Sequence, residues 1–227
     1  CWTPATGKSQ SWLAPEMLAC VARMAGSNSW IAGAESGMFA LQLQDDGRLG
    51  FESLAPVSHA MPGMRFNDGR CDRQGRFLAG TMLMNMAAGA SVGCVYSYQK
   101  SSGLTKLLDG FITPNGMAFS PDGKTIANAC GNVVQLLDPA SGRLRASVPA
   151  PNGVLSLGLS PDGSKLFSGG WPGGSQIQFW DLTKSRSLGA LAEDMGRIKA
   201  AAFSPDGKIL LTGYDRNQNC ARFWDAT

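Results

Sequence analysis

A single histidine, His59, stands in the whole chain. That scarcity argues against a Ser/His/Asp or comparable nucleophilic triad. Charged residues are also scarce, at 16 %, and the 20 Lys and Arg are scattered at a net charge of +3. No basic run marks a nucleic-acid face, so that class of partner is not expected. No apolar stretch approaches the roughly 18 residues of a membrane span, and no secretory leader is visible, so no membrane partner is expected; the compartment is left open. No glycine-rich loop follows a strand and opens a helix, as a phosphate cradle would. The six cysteines (Cys1, Cys20, Cys71, Cys94, Cys130 and Cys220) form no C-x-x-C pair and fit no zinc spacing. They are expected to be buried reduced thiols, apart from an exposed Cys1. The chain opens on that cysteine without an initiator Met, which suggests a trimmed or recombined sequence.

What the chain has in quantity is glycine, 29 of 227 residues, and a repeat. Phe119-Ser120-Pro121-Asp122-Gly123-Lys124 returns at Leu159–Ser164 and at Phe203–Lys208, offsets of 40 and 44 residues. A period of that length is the size of one propeller blade. Asp-Gly between two apolar runs signals a hairpin, and each copy starts a four-beat pattern of short strands. The first runs through Phe119–Ser120, Thr125–Ala129, Val133–Leu137 and Arg143–Val148. Leu155–Leu159, Leu166–Gly169, Gln176–Trp180 and Ser187–Leu191 form the next. Ile198–Phe203, Ile209–Gly213 and Ala221–Trp224 make a last unit of three strands. Upstream lie Leu18–Met24, Ser29–Ala34, Met38–Leu43 and Phe51–Ala55, then Arg65–Asp72, Arg76–Met82, Cys94–Tyr98 and Leu104–Leu108.

Thr3-Pro4-Ala5-Thr6-Gly7 matches Asp138-Pro139-Ala140-Ser141-Gly142, the turn between a third and a fourth strand. Lys8–Leu13 is therefore a fourth strand without its own blade. These counts predict an all-β, five-bladed propeller forming one domain over residues 1–227, with four antiparallel strands per blade. Lys8–Leu13 is expected to complete the C-terminal blade and close the ring, because open strand edges invite association. A monomer is expected, with a dimer exchanging that strand as the alternative. Leu83–Gly93 reads as a surface insertion, and the alternating Met82, Met84 and Met86 as strand-end packing. Glu35 and Asp45-Asp46-Gly47 read as turn residues. Asp68, in Asn-Asp-Gly, is expected to bind turn amides.

Three stretches resemble the senescence marker protein/gluconolactonase family. They are Arg65-Phe66-Asn67-Asp68-Gly69-Arg70-Cys71-Asp72, Gly75-Arg76-Phe77-Leu78-Ala79-Gly80-Thr81-Met82, and Pro114-Asn115-Gly116-Met117-Ala118-Phe119-Ser120-Pro121-Asp122-Gly123. The resemblance covers residues 1 to about 127 and implies a six-bladed, metal-dependent lactonase. By resemblance, Asn115 matches a metal ligand, and Arg65 and Asn67 match residues that contact substrate. Residues from about 128 to 227 resemble WD-repeat propellers, through Gln178-Phe179-Trp180-Asp181 and Arg222-Phe223-Trp224-Asp225. Ser168-Gly169-Gly170 and Thr212-Gly213-Tyr214 fit that family's second strands, although its Gly-His pair is missing. Trp180 and Trp224 are expected to act as packing aromatics.

Aligning the turns predicts a channel ring of Cys20, Asn67, Asn115, Leu155 and Lys199. The lactonase family also needs a Glu from an earlier blade, which this chain lacks, and an Asp from a later one, where Leu155 stands. A hard divalent ion such as calcium takes several oxygen ligands, carboxylates among them, so no cofactor is expected. No catalytic residue is assigned. The expected identity is an engineered hybrid scaffold without native activity and without a specific partner. A weak metal-dependent lactonase and a WD-type protein-interaction platform are the alternatives.

Overall fold

Each sheet grows from a hairpin whose turn is tied by its own side chains. In the first copy, the Ser120 hydroxyl donates to the Asp122 carboxylate at 2.6 Å. That carboxylate also accepts the Lys124 amide, while Ser120 Oγ accepts the Thr125 amide. The same bonds recur at Ser160–Lys165 and at Ser204–Ile209. Gly123, Gly163 and Gly207 take φ of 67°, 73° and 74°, the left-handed conformation that only glycine enters at little cost. The turns also stack. A Cβ on Gly163 would touch the Pro121 ring at 3.4 Å, and one on Gly207 would touch the Pro161 ring at 3.3 Å. The repeated motif thus binds one blade to the next as well as turning the chain.

These features come from a computed structural model, which describes all residues except 1, 4, 131, 151–153, 171–175, 185, 193–196 and 216–220. In chain order the strands are β1 (Trp2–Thr3), β2 (Lys8–Ser9), β3 (Cys20–Arg23), β4 (Ser29–Gly33), β5 (Gly37–Leu43), β6 (Leu49–Pro56), β7 (Met64–Cys71), β8 (Phe77–Leu83), β9 (Gly93–Gln99), β10 (Gly103–Phe111), β11 (Asn115–Phe119), β12 (Ile126–Cys130), β13 (Val133–Leu137) and β14 (Leu144–Pro149). They continue as β15 (Ser156–Leu159), β16 (Lys165–Gly169), β17 (Gln176–Asp181), β18 (Arg186–Ala192), β19 (Arg197–Phe203), β20 (Ile209–Asp215) and β21 (Ala221–Asp225). All pairings are antiparallel between sequential neighbours. Among the described residues they give four four-stranded sheets, β3–β6, β7–β10, β11–β14 and β15–β18, a three-stranded sheet, β19–β21, and the two-stranded pair β1–β2. This is the all-β meander architecture of a propeller.

The first strands lie side by side: β3 against β7, β7 against β11, β11 against β15 and β15 against β19. Four apolar cores fill the seams between successive sheets. One centres on Phe66, Phe77 and Met38, the next on Met117, Ile126 and Leu78, then Leu157, Leu166 and Val134, and last Phe167, Ile198 and Leu210. A fifth cluster, Ala32, Ala34, Phe39 and Leu41, lies within the first sheet.

Among the described residues, Lys8–Leu13 does not pair with β21 as expected. Lys8–Ser9 pairs instead with Trp2–Thr3, in a separate two-stranded sheet. The amides of Thr6 and Gly7 both reach Thr3 O, closing a local turn. A hairpin this short costs far less loop-closure entropy than a partner at the other end of the chain. Among the described residues, no contact comparable to the other four joins β19 to β3. On the last sheet Ile209, Leu211 and Phe223 stay exposed, Phe223 at 75 %. Among the described residues the last sheet thus keeps three strands.

The thiols also depart from expectation. Cys20, Cys94 and Cys130 are half-buried and Cys71 is exposed, all of them free. Cys1 and Cys220 lie outside the described residues. The Leu83–Gly93 segment lies at the surface as expected between its buried strand ends. Only Met82 of the methionine triplet is buried there, however, and Met84 and Met86 are exposed.

The turn carboxylates are expected to make stability fall at acid pH. Hydrogen bonds from the Ser160 hydroxyl, then the Ser164 amide and hydroxyl, lower Asp162 from 3.8 to about 2. Asp138 falls to about 2 through Arg145 and then the Ser141 and Ala140 amides. A carboxyl with a depressed folded-state pKa contributes stability above its unfolded value and loses it as pH falls through the folded one. The urea midpoint is therefore expected to drop between pH 3.8 and about 2, and Asp162→Asn should shrink that drop. An unchanged drop in the variant would remove Asp162 from the account.

Candidate functional site

Strand β7 carries the lactonase-like residues, and its irregularity sets their directions. Its pairing with β8 slips between Phe66 and Gly69, leaving Asn67 and Asp68 in a bulge. Bulges re-aim side chains, and here both point to the next sheet. Asn67 Nδ2 donates to Asn115 Oδ1 at 2.5 Å. Asp68 Oδ2 accepts the Gly116 amide at 2.8 Å. The carboxylate thus binds an amide 48 residues away, where the sequence pattern had suggested its own turn. Arg65 lies alongside. Its Nη1 donates to Phe66 O at 2.6 Å and to Asn67 Oδ1 at 3.3 Å, and its Nε donates to Met84 Sδ.

Packing accounts for much of the Pro114-Asn115-Gly116 motif. Gly116 has φ of +57°, and a Cβ there would come within 3.2 Å of the Leu157 amide nitrogen. Pro114 covers Gly80, where an added Cβ would meet its Cγ at 2.7 Å. Glycine and proline are thus needed for backbone conformation and close approach, whatever the chemistry of Asn115.

The predicted ring is partly assembled. Asn67 and Asn115 meet directly, and Leu155 opens the neighbouring sheet, its amide bonded to Gly169 O at 2.8 Å. Lys199 occupies the bulge of β19 and is exposed. Cys20 departs from the ring, packed in the seam between the first two sheets. A Cβ on Gly69 would come within 2.6 Å of its sulfur. Burial, reinforced by the Asp68 charge, pushes its thiol up to about 12, so it is protonated and unreactive at neutral pH.

As a metal cradle, this donor set falls short. Asn115 Oδ1 already accepts from Asn67, and Asn67 Oδ1 from Arg65. Among the described residues no three His, Cys, Asp or Glu side chains converge on one point. A hard divalent ion takes six or more oxygens with carboxylates among them, and two amide oxygens and the Asp68 carboxylate, each already hydrogen-bonded and set beside a guanidinium, fall short of that count. What the arrangement offers is neutral and cationic hydrogen-bond donors, suited to hydroxyl and carbonyl oxygens.

The C-terminal sheets carry a different polar feature. Trp224 Nε1 donates to Thr212 Oγ1 at 2.8 Å, and that hydroxyl meets Tyr214 Oη at 3.1 Å in the interior. Trp224 therefore does more than pack, which the Thr-Gly-Tyr spacing on the adjacent strand could have signalled. Trp180 sits at the equivalent place in a seam core, but its Nε1 has no partner among the described residues.

Two family models divide the chain between residues 128 and 142, although a putative sugar lactone lactonase YvrE of Bacillus subtilis is 26 % identical over 189 residues, 79 % of this chain and 62 % of that one. Residues 1–128 match the SMP-30/Gluconolactonase/LRE-like region, and residues 142–181 and 187–225 match the WD domain, G-beta repeat. Regucalcin of Xenopus laevis is 30 % identical over 128 residues, which cover 55 % of this chain and 42 % of that protein. WD repeat-containing protein 90 of Mus musculus is 30 % identical over 112 residues, 48 % of this chain and 6 % of that one. The matched parts thus span less than half of either relative. A solved luciferin-regenerating enzyme superposes with a TM-score of 0.74 at 16 % identity, over 96 % of this chain and 78 % of that one. The chain is a hybrid in composition, with WD-type repeats in its C-terminal part, and through residues 1–128 it belongs to the SMP-30/gluconolactonase/LRE-like family.

Proposed function

We propose that this chain is a five-bladed hybrid propeller acting as a non-catalytic scaffold, a monomer without cofactor or specific partner. The observation that carries the reading is the 2.5 Å bond between Asn67 and Asn115. It uses the side-chain oxygen that a metal-dependent lactonase would turn to its ion, and the neighbouring Asp68 carboxylate already accepts the Gly116 amide. The change of family between residues 128 and 142, with the blade pattern continuing through it, supports an engineered join of two propeller fragments.

A second reading is weak, metal-dependent hydrolysis of sugar lactones, favoured because Arg65, Asn67 and Asn115 stay together at one end of the first strands. A lactone-hydrolysis assay with added calcium or zinc separates the two. The scaffold reading expects the buffer rate at every metal concentration. Saturable turnover that is abolished by Asn115→Ala in a folded variant would establish the hydrolase instead.

A further inference from the structure

A cavity of about 770 Å³ opens at the opposite end of the first strands from Asn67 and Asn115, lined by the ends of β7, β11, β15 and β19. That volume is in the range of small-molecule sites. Phe119, Leu159 and Phe203 supply apolar wall, and consecutive residues Leu157–Leu159 and Ala201–Phe203 bring backbone to the lining. Both β15 and β19 are edge strands of their sheets, so part of that backbone has no strand partner.

The charge balance of the cavity is one-sided. Arg70 and Arg73 line it, and neither guanidinium has a hydrogen bond or ion pair among the described residues. The one acid in the lining, Asp72, is buried and already occupied. Its Oδ2 accepts from Arg76 Nε at 2.6 Å, and its Oδ1 accepts the amides of Gln74 and Arg76. The hydroxyls of Ser160 and Ser204 are spent on Asp162 and Asp206. Two uncompensated guanidinium groups therefore face an apolar-walled hollow. Guanidinium recognises a planar anion through paired hydrogen bonds.

We infer that this cavity is a binding site for a small organic anion, a carboxylate or phosphate head on an apolar body. The head lies between Arg70 and Arg73, and the body runs against Phe119, Leu159 and Phe203. The site is separate from the lactonase-like residues and does not depend on their activity.

Calorimetric titration of the intact chain with biphenyl-4-carboxylate, and in parallel with its neutral carboxamide, tests the inference. The carboxylate should bind, and the amide at least about tenfold more weakly, because only the former makes charge-assisted bonds. Added salt should weaken the carboxylate alone. Arg70→Gln with Arg73→Gln should lower carboxylate affinity by about a hundredfold, roughly tenfold per arginine, with an unchanged urea midpoint showing that the variant is folded. Binding should also slow alkylation of Cys71, which is exposed and lines the same cavity. The inference is overturned by absence of carboxylate binding, by equal affinity for the amide, by full affinity in the folded double variant, or by an unchanged Cys71 alkylation rate at saturation.

Discussion

Phe66→Ala is expected to cost about 3–5 kcal/mol, the range for truncating a buried aromatic in a packed core. Phe66 is completely buried in the seam between the first two sheets. Its ring meets Tyr96 edge-on at 5.8 Å, and its Cβ lies where a Cβ on Gly33 would come within 3.0 Å. Its amide also bonds Ala34 O across the seam at 3.0 Å. Among the described residues the first sheet packs on a neighbouring sheet through this seam, and no comparable contact joins β3 to β19. The loss should therefore be local as well as large. Hydrogen exchange in Phe66→Ala should accelerate over β3–β6 before the rest of the chain, and urea unfolding should become biphasic. A loss spread evenly over all sheets would mean that the ring is closed.

Phe167→Ala is expected to cost a similar amount, about 3–5 kcal/mol, in the seam before the last sheet. Phe167 is fully buried, edge-on to Phe203 at 6.3 Å and packed with Ile198 and Leu210. Its ring lies close on the β15 backbone, since a Cβ on Gly158 would approach it to 2.6 Å. Here the sheet released should be β19–β21. The two substitutions lie in separate seams that share no core residue, so their costs should add. Urea titration of the two single variants and the double measures this. A double-variant loss well below the sum would show that the two seams are coupled.

The blades were legible in the sequence because each is a local object. Ser-Pro-Asp-Gly turns, apolar alternation and short connections locate β12–β21 to within a residue or two, whereas β11 begins four residues before the expected Phe119. The ring closure was not legible. Which edge Lys8–Ser9 joins is a competition between backbone edges, and backbone hydrogen bonds carry no side-chain code. Trp2–Thr3 wins because it is only a turn away. At the site, the 48-residue offset puts Asn67 and Asn115 at equivalent places in neighbouring sheets, and the structure adds the hydrogen bond between them. Asp68 was misread because Asn-Asp-Gly looks like a turn, whereas the β7 bulge carries its carboxylate across the seam to Gly116. The same 48-residue offset links that pair, and it was the available signal. Cys20 left the ring because the glycines at 33 and 69 open a cavity that its sulfur fills.

The central claim is that the blade fold runs through both parts of the chain while the metal chemistry of the lactonase family stops at their join. Thermal melting of the intact protein with increasing calcium tests it most directly, because an ion that binds only the folded state raises Tm with concentration. The account predicts a Tm independent of calcium once ionic strength is matched with a monovalent salt. A saturable rise in Tm that is lost in Asn115→Ala would contradict it.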